Sequence, residues 1–151
     1  MRADGTGQTD MPAATADFVM GSDPLSVREG LRHALASPPL AHLSAADRGT
    51  AEIVLAEVLN NVVEHAYSQH GGEIRLSLSA DGSLLHCVIE DEGQAMPGGT
   101  PPAGDLPPAD QFPEGGFGWH LIRTLSSGLE YQRHGGMNRL SFSLPAELLV
   151  H

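Results

Sequence analysis

The sequence predicts an α+β protein, a two-layer α/β sandwich with helices on one face of a mixed, largely antiparallel sheet. Three observations carry this. The segment "SDPLSVREGLRHALAS" and the stretch from Ser44 to Gln69 space their apolar residues as helices do. The segments "EIRLSLSADGSLLHCVIED" and "LEYQRHGGMNRLSFSLP" alternate apolar and polar residues around glycine turns, as hairpins do. The order helices, hairpin, loop, helix, hairpin makes most strands antiparallel neighbours and leaves the helices to cover one face.

Taken in order, residues 1–16 read as a disordered lead-in and residues 17–151 as a single domain. "DFVM" is a short first strand. The first helix has Asp23 as its cap and Pro24 in its first turn, with Leu25, Leu31 and Leu35 as its buried stripe. The second helix opens on "SAAD", a capping box, and stops at Gly71-Gly72. The first hairpin turns at Asp81-Gly82. Residues 94–114 have no periodicity and many prolines, the mark of a functional lid or a disordered insert. "GGFGWHLIRTLSSG" is a glycine turn entering a helix, and the last hairpin turns within His134–Asn138.

Composition excludes several classes of function. The formal charge of -11 argues against a generic nucleic-acid or anionic-membrane footprint, which needs a basic surface. All 8 basic residues are arginine, so chemistry that requires a lysine is absent. Cys87 is the one cysteine, so there is no intrachain disulfide; within "LLHCVIE" it reads as a small buried hydrophobe. No apolar run has the length of a membrane span and the N-terminus lacks a signal-peptide apolar region, so a cytoplasmic protein is the expectation.

Three segments carry chemistry. In "LAEVLNNVVEHAY", at 100° per residue, Glu57, Asn61, Glu64 and His65 share about a quarter of the helix circumference. Two adjacent asparagines in mid-helix cost of order half a kcal/mol each, which favours function over a solvated stripe. Glu57 and Asn61 lie one turn apart and offer hard oxygen donors, suited to Mg²⁺ or an ordered water rather than zinc. In "IEDEG", Asp91 is an acceptor at a strand end with Gly93 beside it; this is a common turn, or an acceptor for an exocyclic amine such as adenine's. In "EGGFGWHLI", Gly115, Gly116 and Gly118 precede a helix, making either a flexible turn or a phosphate site at the helix N-terminus. Trp119 and His120 are expected to pack or to face solvent.

The order of these signals is more specific than any of them alone. E-x-x-x-N-x-x-x-H-A from Glu57 to Ala66, D-x-G at Asp91, a Pro/Gly-rich lid and G-G-x-G at Gly115–Gly118 together resemble the GHKL (Bergerat-fold) ATP-binding family, and within it the anti-sigma-factor serine kinases of bacteria. The resemblance covers roughly residues 18–145. It implies a histidine kinase-like ATPase fold, ATP and Mg²⁺ as cofactors, and serine/threonine kinase activity toward an anti-anti-sigma (STAS-type) partner, with control of a sigma factor. It implies Glu57 as general base, Asn61 as Mg²⁺ ligand, Asp91 as acceptor for the adenine amine, and Gly93 as the place where the base comes close. Gly116 and Gly118 would offer backbone N–H groups to the phosphates. The resemblance also suggests a homodimer. Against the family pattern, no basic residue stands between Gly93 and Arg123, His120 follows the glycine turn, and "QAMPGG" follows Gly93. An ATP-binding switch without phosphotransfer is the alternative.

Overall fold

The computed structural model describes residues 14–67, 71–103 and 118–147. Its elements are β1 (Ala14–Gly21), α1 (Pro24–Leu35), α2 (Ala45–Asn61), β2 (Glu73–Ala80), β3 (Leu84–Asp91), α3 (Gly118–Leu125), β4 (Ser127–His134) and β5 (Met137–Pro145). The five strands form one sheet in the order β1-β2-β3-β5-β4. All four pairings are antiparallel, so the expected mixed, largely antiparallel sheet has no parallel component among the described strands.

The first strand begins earlier than expected. Ala14 to Asp17 pair with Ala80 to Ser77, so the lead-in of residues 1–16 gives way to strand at Ala14. Residues 1–13 lie outside the described residues.

Side-chain alternation puts one row after another onto the inner face. Leu76, Ile89 and Leu140 sit opposite one another across β2, β3 and β5, as do Leu78, Cys87 and Phe142, then Ala80, Leu85 and Leu144. All nine are buried. Each fully buried leucine or isoleucine contributes roughly 1.5–3 kcal/mol relative to exposure. Burial pushes the Cys87 thiol well up, as a small core hydrophobe requires.

The helices cover that face. α1 starts as expected, with the Asp23 carboxylate accepting from the Ser26 N–H at 2.8 Å and Pro24 at the first turn. Its inward side is Val27, Leu31, Ala34 and Leu35, and Leu25, expected in the stripe, is 65% exposed. At 100° per residue Leu25 lies about 160° from Val27, on the opposite side of the helix. α2 buries Ala51, Val54, Leu55, Val58 and Leu59, an i, i+3, i+4, i+7, i+8 stripe. Ser44 caps it by accepting from the Asp47 N–H at 3.2 Å. After Asn61 the backbone widens into a π-helical turn over Val62–Ala66. Helical backbone ends at Ala66, where Tyr67 leaves helical φ/ψ, so the helix expected to run to Gln69 breaks earlier; Gln69 itself lies outside the described residues. α1 rests on β1 and α2, and α3 rests on α2.

Candidate functional site

The inner-face alternation ends in two polar residues where apolar ones would continue it. β3 turns Leu85, Cys87 and Ile89 inward, and the next inward position is Asp91; β5 turns Leu144, Phe142 and Leu140 inward, and the next is Asn138. The two face each other in register and are the buried polar side chains among the described residues. The Asn138 amide nitrogen donates to Asp91 Oδ1 at 2.8 Å, and the Gly93 N–H donates to the same oxygen at 2.8 Å. Burial raises the Asp91 pKa, while those two hydrogen bonds and the Arg133 charge oppose the rise. The carboxylate therefore stands in a partly desolvated place where any further donor is valuable.

Asp91, Ala66 and Gln94 stand in the wall between two clefts. One, of about 550 Å³, is bounded by Asn61, Asp91, Met96, Trp119, Tyr131 and Asn138. The other, of about 530 Å³, lies toward Tyr67, Glu73, Arg75 and Gly93. The first combines apolar wall from Met96, Pro97 and Trp119 with polar side chains that include Glu64 and His65 of the π-helical turn, a mixture suited to a small polar ligand. The Asn61 amide nitrogen is buried there with no hydrogen-bond partner among the described residues. An orphaned buried donor costs about 1–3 kcal/mol, and an incoming ligand would remove that cost.

The structure brings the sequence-predicted residues together unevenly. Asn61 and Asp91 line the same cleft. Glu57 sits on the α2–α3 seam, where a Cβ at Gly118 would be 2.7 Å from Glu57 Oε2 and 3.6 Å from Asn61 Nδ2. Gly118 is buried at the start of α3. Gly93 lines the neighbouring cleft, and the space its Cβ would take is filled by the Ala66 carbonyl. The close approach expected of a base at Gly93 is thus made by the chain's own π-helical turn, to which Gln94 also donates at 2.8 Å. Gly116 lies outside the described residues. Among them, no group of three or more His, Cys, Asp or Glu could hold a metal ion, and no helix is long and apolar enough to cross a membrane.

Of the lid expected over residues 94–114, residues 94–103 are described. Their start is tied down: Met96 N–H donates to the Tyr131 hydroxyl at 3.0 Å, and Asn138 donates to the Gln94 carbonyl at 2.8 Å. Arg123, the first basic residue after Gly93, donates to the carbonyls of Pro102 and Pro101 at 2.7 and 3.0 Å.

Residues 20–144 match the family described as Histidine kinase-like ATPase domain. The chain belongs to that family. Its α+β sandwich and antiparallel sheet are those of a histidine kinase-like ATPase domain. The chain is similar to the serine-protein kinase RsbW of Halalkalibacterium halodurans, 32% identical over 91 residues, which are 57% of this chain and 56% of that one. It is also similar to RsbW of Bacillus subtilis, 30% identical over 93 residues, 57% of this chain and 58% of that one, and to RsbW of Bacillus mycoides, 29% over 94 residues and 59% of each. The match thus spans under two thirds of these curated relatives. The crystal structure of the RsbU and RsbW domains of Rv1364c from Mycobacterium tuberculosis shares the fold, with a TM-score of 0.52, 18% identity, and coverage of 90% of this chain and 34% of that one.

Three contributors to the candidate site are not singled out by the sequence. Asn138 was legible only as part of a turn, although "MNRLSFSL" places it on the side of Leu140, Phe142 and Leu144. Trp119, expected to pack or face solvent, is buried and lines the cleft. Tyr67 donates to the Glu73 carbonyl at 2.9 Å and accepts from Glu92 N–H at 2.7 Å, fixing the turn that follows Asp91. Burial raises the Tyr67 phenol pKa. Nothing local in "HAY" signals that bridge.

Proposed function

We propose that the 550 Å³ cleft binds ATP with Mg²⁺ and that the chain transfers the γ-phosphoryl group to a serine or threonine of an anti-anti-sigma (STAS-type) partner, so controlling sigma-factor availability. The observation that carries this reading is the buried Asn61 amide nitrogen, unpartnered among the described residues, in the wall of a cleft that also holds the Asp91 acceptor. Membership of the ATPase-domain family and likeness to proteins named serine-protein kinase RsbW support it.

In this reading Asp91 accepts from the adenine amine, and Gly93 keeps the adjoining turn against Ala66 so that Asp91 stays in place. Asn61 would hold Mg²⁺. The ligand would be its amide oxygen, a hard donor suited to Mg²⁺ with phosphate oxygens and water as the remaining ligands, while the buried Nδ2 could donate to a phosphate oxygen. When bound, Mg²⁺ would neutralise charge on the transferring phosphoryl group. Glu57, half-buried beside Gly118, would take the proton of the attacking hydroxyl. Backbone N–H groups at Gly116 and Gly118 would meet the phosphates at the start of α3, where the helix dipole favours negative charge. A homodimer belongs to the same proposal.

Label from γ-phosphate-labelled ATP should pass to a small STAS-type partner, and Glu57→Ala should abolish transfer. A Glu57→Ala protein that transfers at full rate removes Glu57 as the base. The second reading, an ATP-binding switch without phosphotransfer, is favoured by one observation: Arg123 is engaged by lid carbonyls. Mg²⁺-dependent ATP binding without transfer to any partner would select it.

A further inference from the structure

We propose that Asn138 is the positioning residue that commits Asp91 to accept a hydrogen bond, so that the cleft selects a purine bearing an exocyclic amine over one bearing a carbonyl at the same place. This inference rests on the ATP reading and names what makes the base choice.

An asparagine amide can present either end. At Asn138 two donors remove the ambiguity. The Tyr131 hydroxyl accepts from the Met96 N–H, which leaves its own hydrogen for Asn138 Oδ1. Arg133 Nη1 donates to the same Oδ1 at 2.8 Å. Guanidinium can only donate, so the atom facing it is the carbonyl oxygen. The other end is then the NH₂ group, which reaches Asp91 Oδ1 and the Gln94 carbonyl, both at 2.8 Å. With Gly93 N–H also on Asp91 Oδ1, two donors address one carboxylate oxygen. An ionised carboxylate is acceptor-only. An adenine amine satisfies it, whereas the carbonyl of hypoxanthine or guanine would meet it lone pair to lone pair.

Asn138→Asp weakens this preference. Two carboxyl groups would then share the 2.8 Å contact, and such a pair cannot both ionise. Arg133 beside residue 138 draws the negative charge there, so the shared proton sits on Asp91 Oδ1 within that contact and Asp91 becomes a neutral, weaker acceptor for an amine.

The test is equilibrium binding of ATP and inosine triphosphate, each with Mg²⁺, to the wild-type full chain and to Asn138→Asp. The two nucleotides differ in carrying an amine or a carbonyl at that position, with the adjoining ring nitrogen changed accordingly. Wild type should prefer ATP, and the variant should lower the ATP-to-ITP affinity ratio by at least about tenfold, the scale of one charge-assisted hydrogen bond. Tyr131→Phe, which removes one of the two locks on the amide, should lower the ratio by roughly two- to fivefold; it decides alone if Asn138→Asp does not fold. Equal weakening of both nucleotides with an unchanged ratio would overturn the inference, because a purely structural role predicts that. Wild type that binds ITP as tightly as ATP overturns it while leaving nucleotide binding intact. Wild type that binds neither overturns the functional reading as well.

Discussion

A Cβ at Gly118 would stand 2.7 Å from Glu57 Oε2, so α3 meets α2 at the point where α2 presents its proposed base. The obstructing atom is the end of a flexible side chain, and alanine is a better helix residue than glycine by roughly 0.5–1 kcal/mol. Gly118→Ala should therefore leave the unfolding free energy within about 1 kcal/mol of wild type while displacing Glu57. Phosphotransfer should fall at least tenfold, of the size expected when general-base geometry is lost. Denaturant titration and the transfer assay read the two effects separately, and a variant with normal transfer argues against Glu57 acting from this position.

Gly93 is the contrasting case. Its missing Cβ would overlap the Ala66 carbonyl, which is backbone and cannot rotate away. Gly93→Ala should push the turn off α2, strain the Gln94 N–H to Ala66 carbonyl bond, and cost about 1–3 kcal/mol. A melting temperature unchanged from wild type would show that the contact relaxes freely.

Asp91 is buried with a raised pKa, so ionising it in the folded state works against stability at neutral pH. Asp91→Asn removes that charge and, with its amide oxygen turned to Asn138, keeps an acceptor there. The variant should melt at or above the wild-type temperature and bind ATP at least about tenfold more weakly. Full ATP affinity would remove Asp91 from base recognition.

On the outer face of the sheet, Asp81 Oδ2 meets His86 Nε2 at 2.9 Å, and His86 Nδ1 lies 3.0 Å from Ser143 Oγ. The His86 hydrogen bond is the largest cause that lowers the Asp81 pKa from 3.8 to about 2. A depressed folded pKa makes the unfolded chain bind more protons between those values, so this contribution is complete above pH 3.8 and lost as pH falls through about 2. His86→Ala should flatten the wild-type loss of stability across that window. Identical pH slopes for the two proteins would assign the acid sensitivity elsewhere.

The fold was legible because its elements announce themselves by period: 3.6 in α2, two in β2, β3 and β5, with Ser44, Asp23 and the glycine turns as punctuation. Leu25 misleads because the leucines alone do not set the phase of the α1 stripe, which follows Val27 and Ala34. The π-helical turn after Asn61 leaves no mark in an apolar pattern, since Val62 and Val63 fit an α-helix as well. Glu57, Asn61 and Asp91 stood out as polar residues in apolar settings. Asn138 obeys the same rule, but its strand abuts Gly135 and Gly136, so in the sequence it merges with the turn. The Tyr131 and Arg133 partners that orient it come from a neighbouring strand, a relationship only the β4–β5 register supplies.

Occupancy of the cleft between Asn61 and Asp91 by ATP is read by calorimetric titration of ATP into the protein with and without Mg²⁺, beside Asn61→Ala. Saturable binding in the micromolar to millimolar range typical of enzyme substrates is expected, strengthened by Mg²⁺. Asn61→Ala should lose that strengthening. Absence of binding at millimolar ATP with Mg²⁺, or an Asn61→Ala protein with unaltered Mg²⁺ dependence, would rule out an ATP site there.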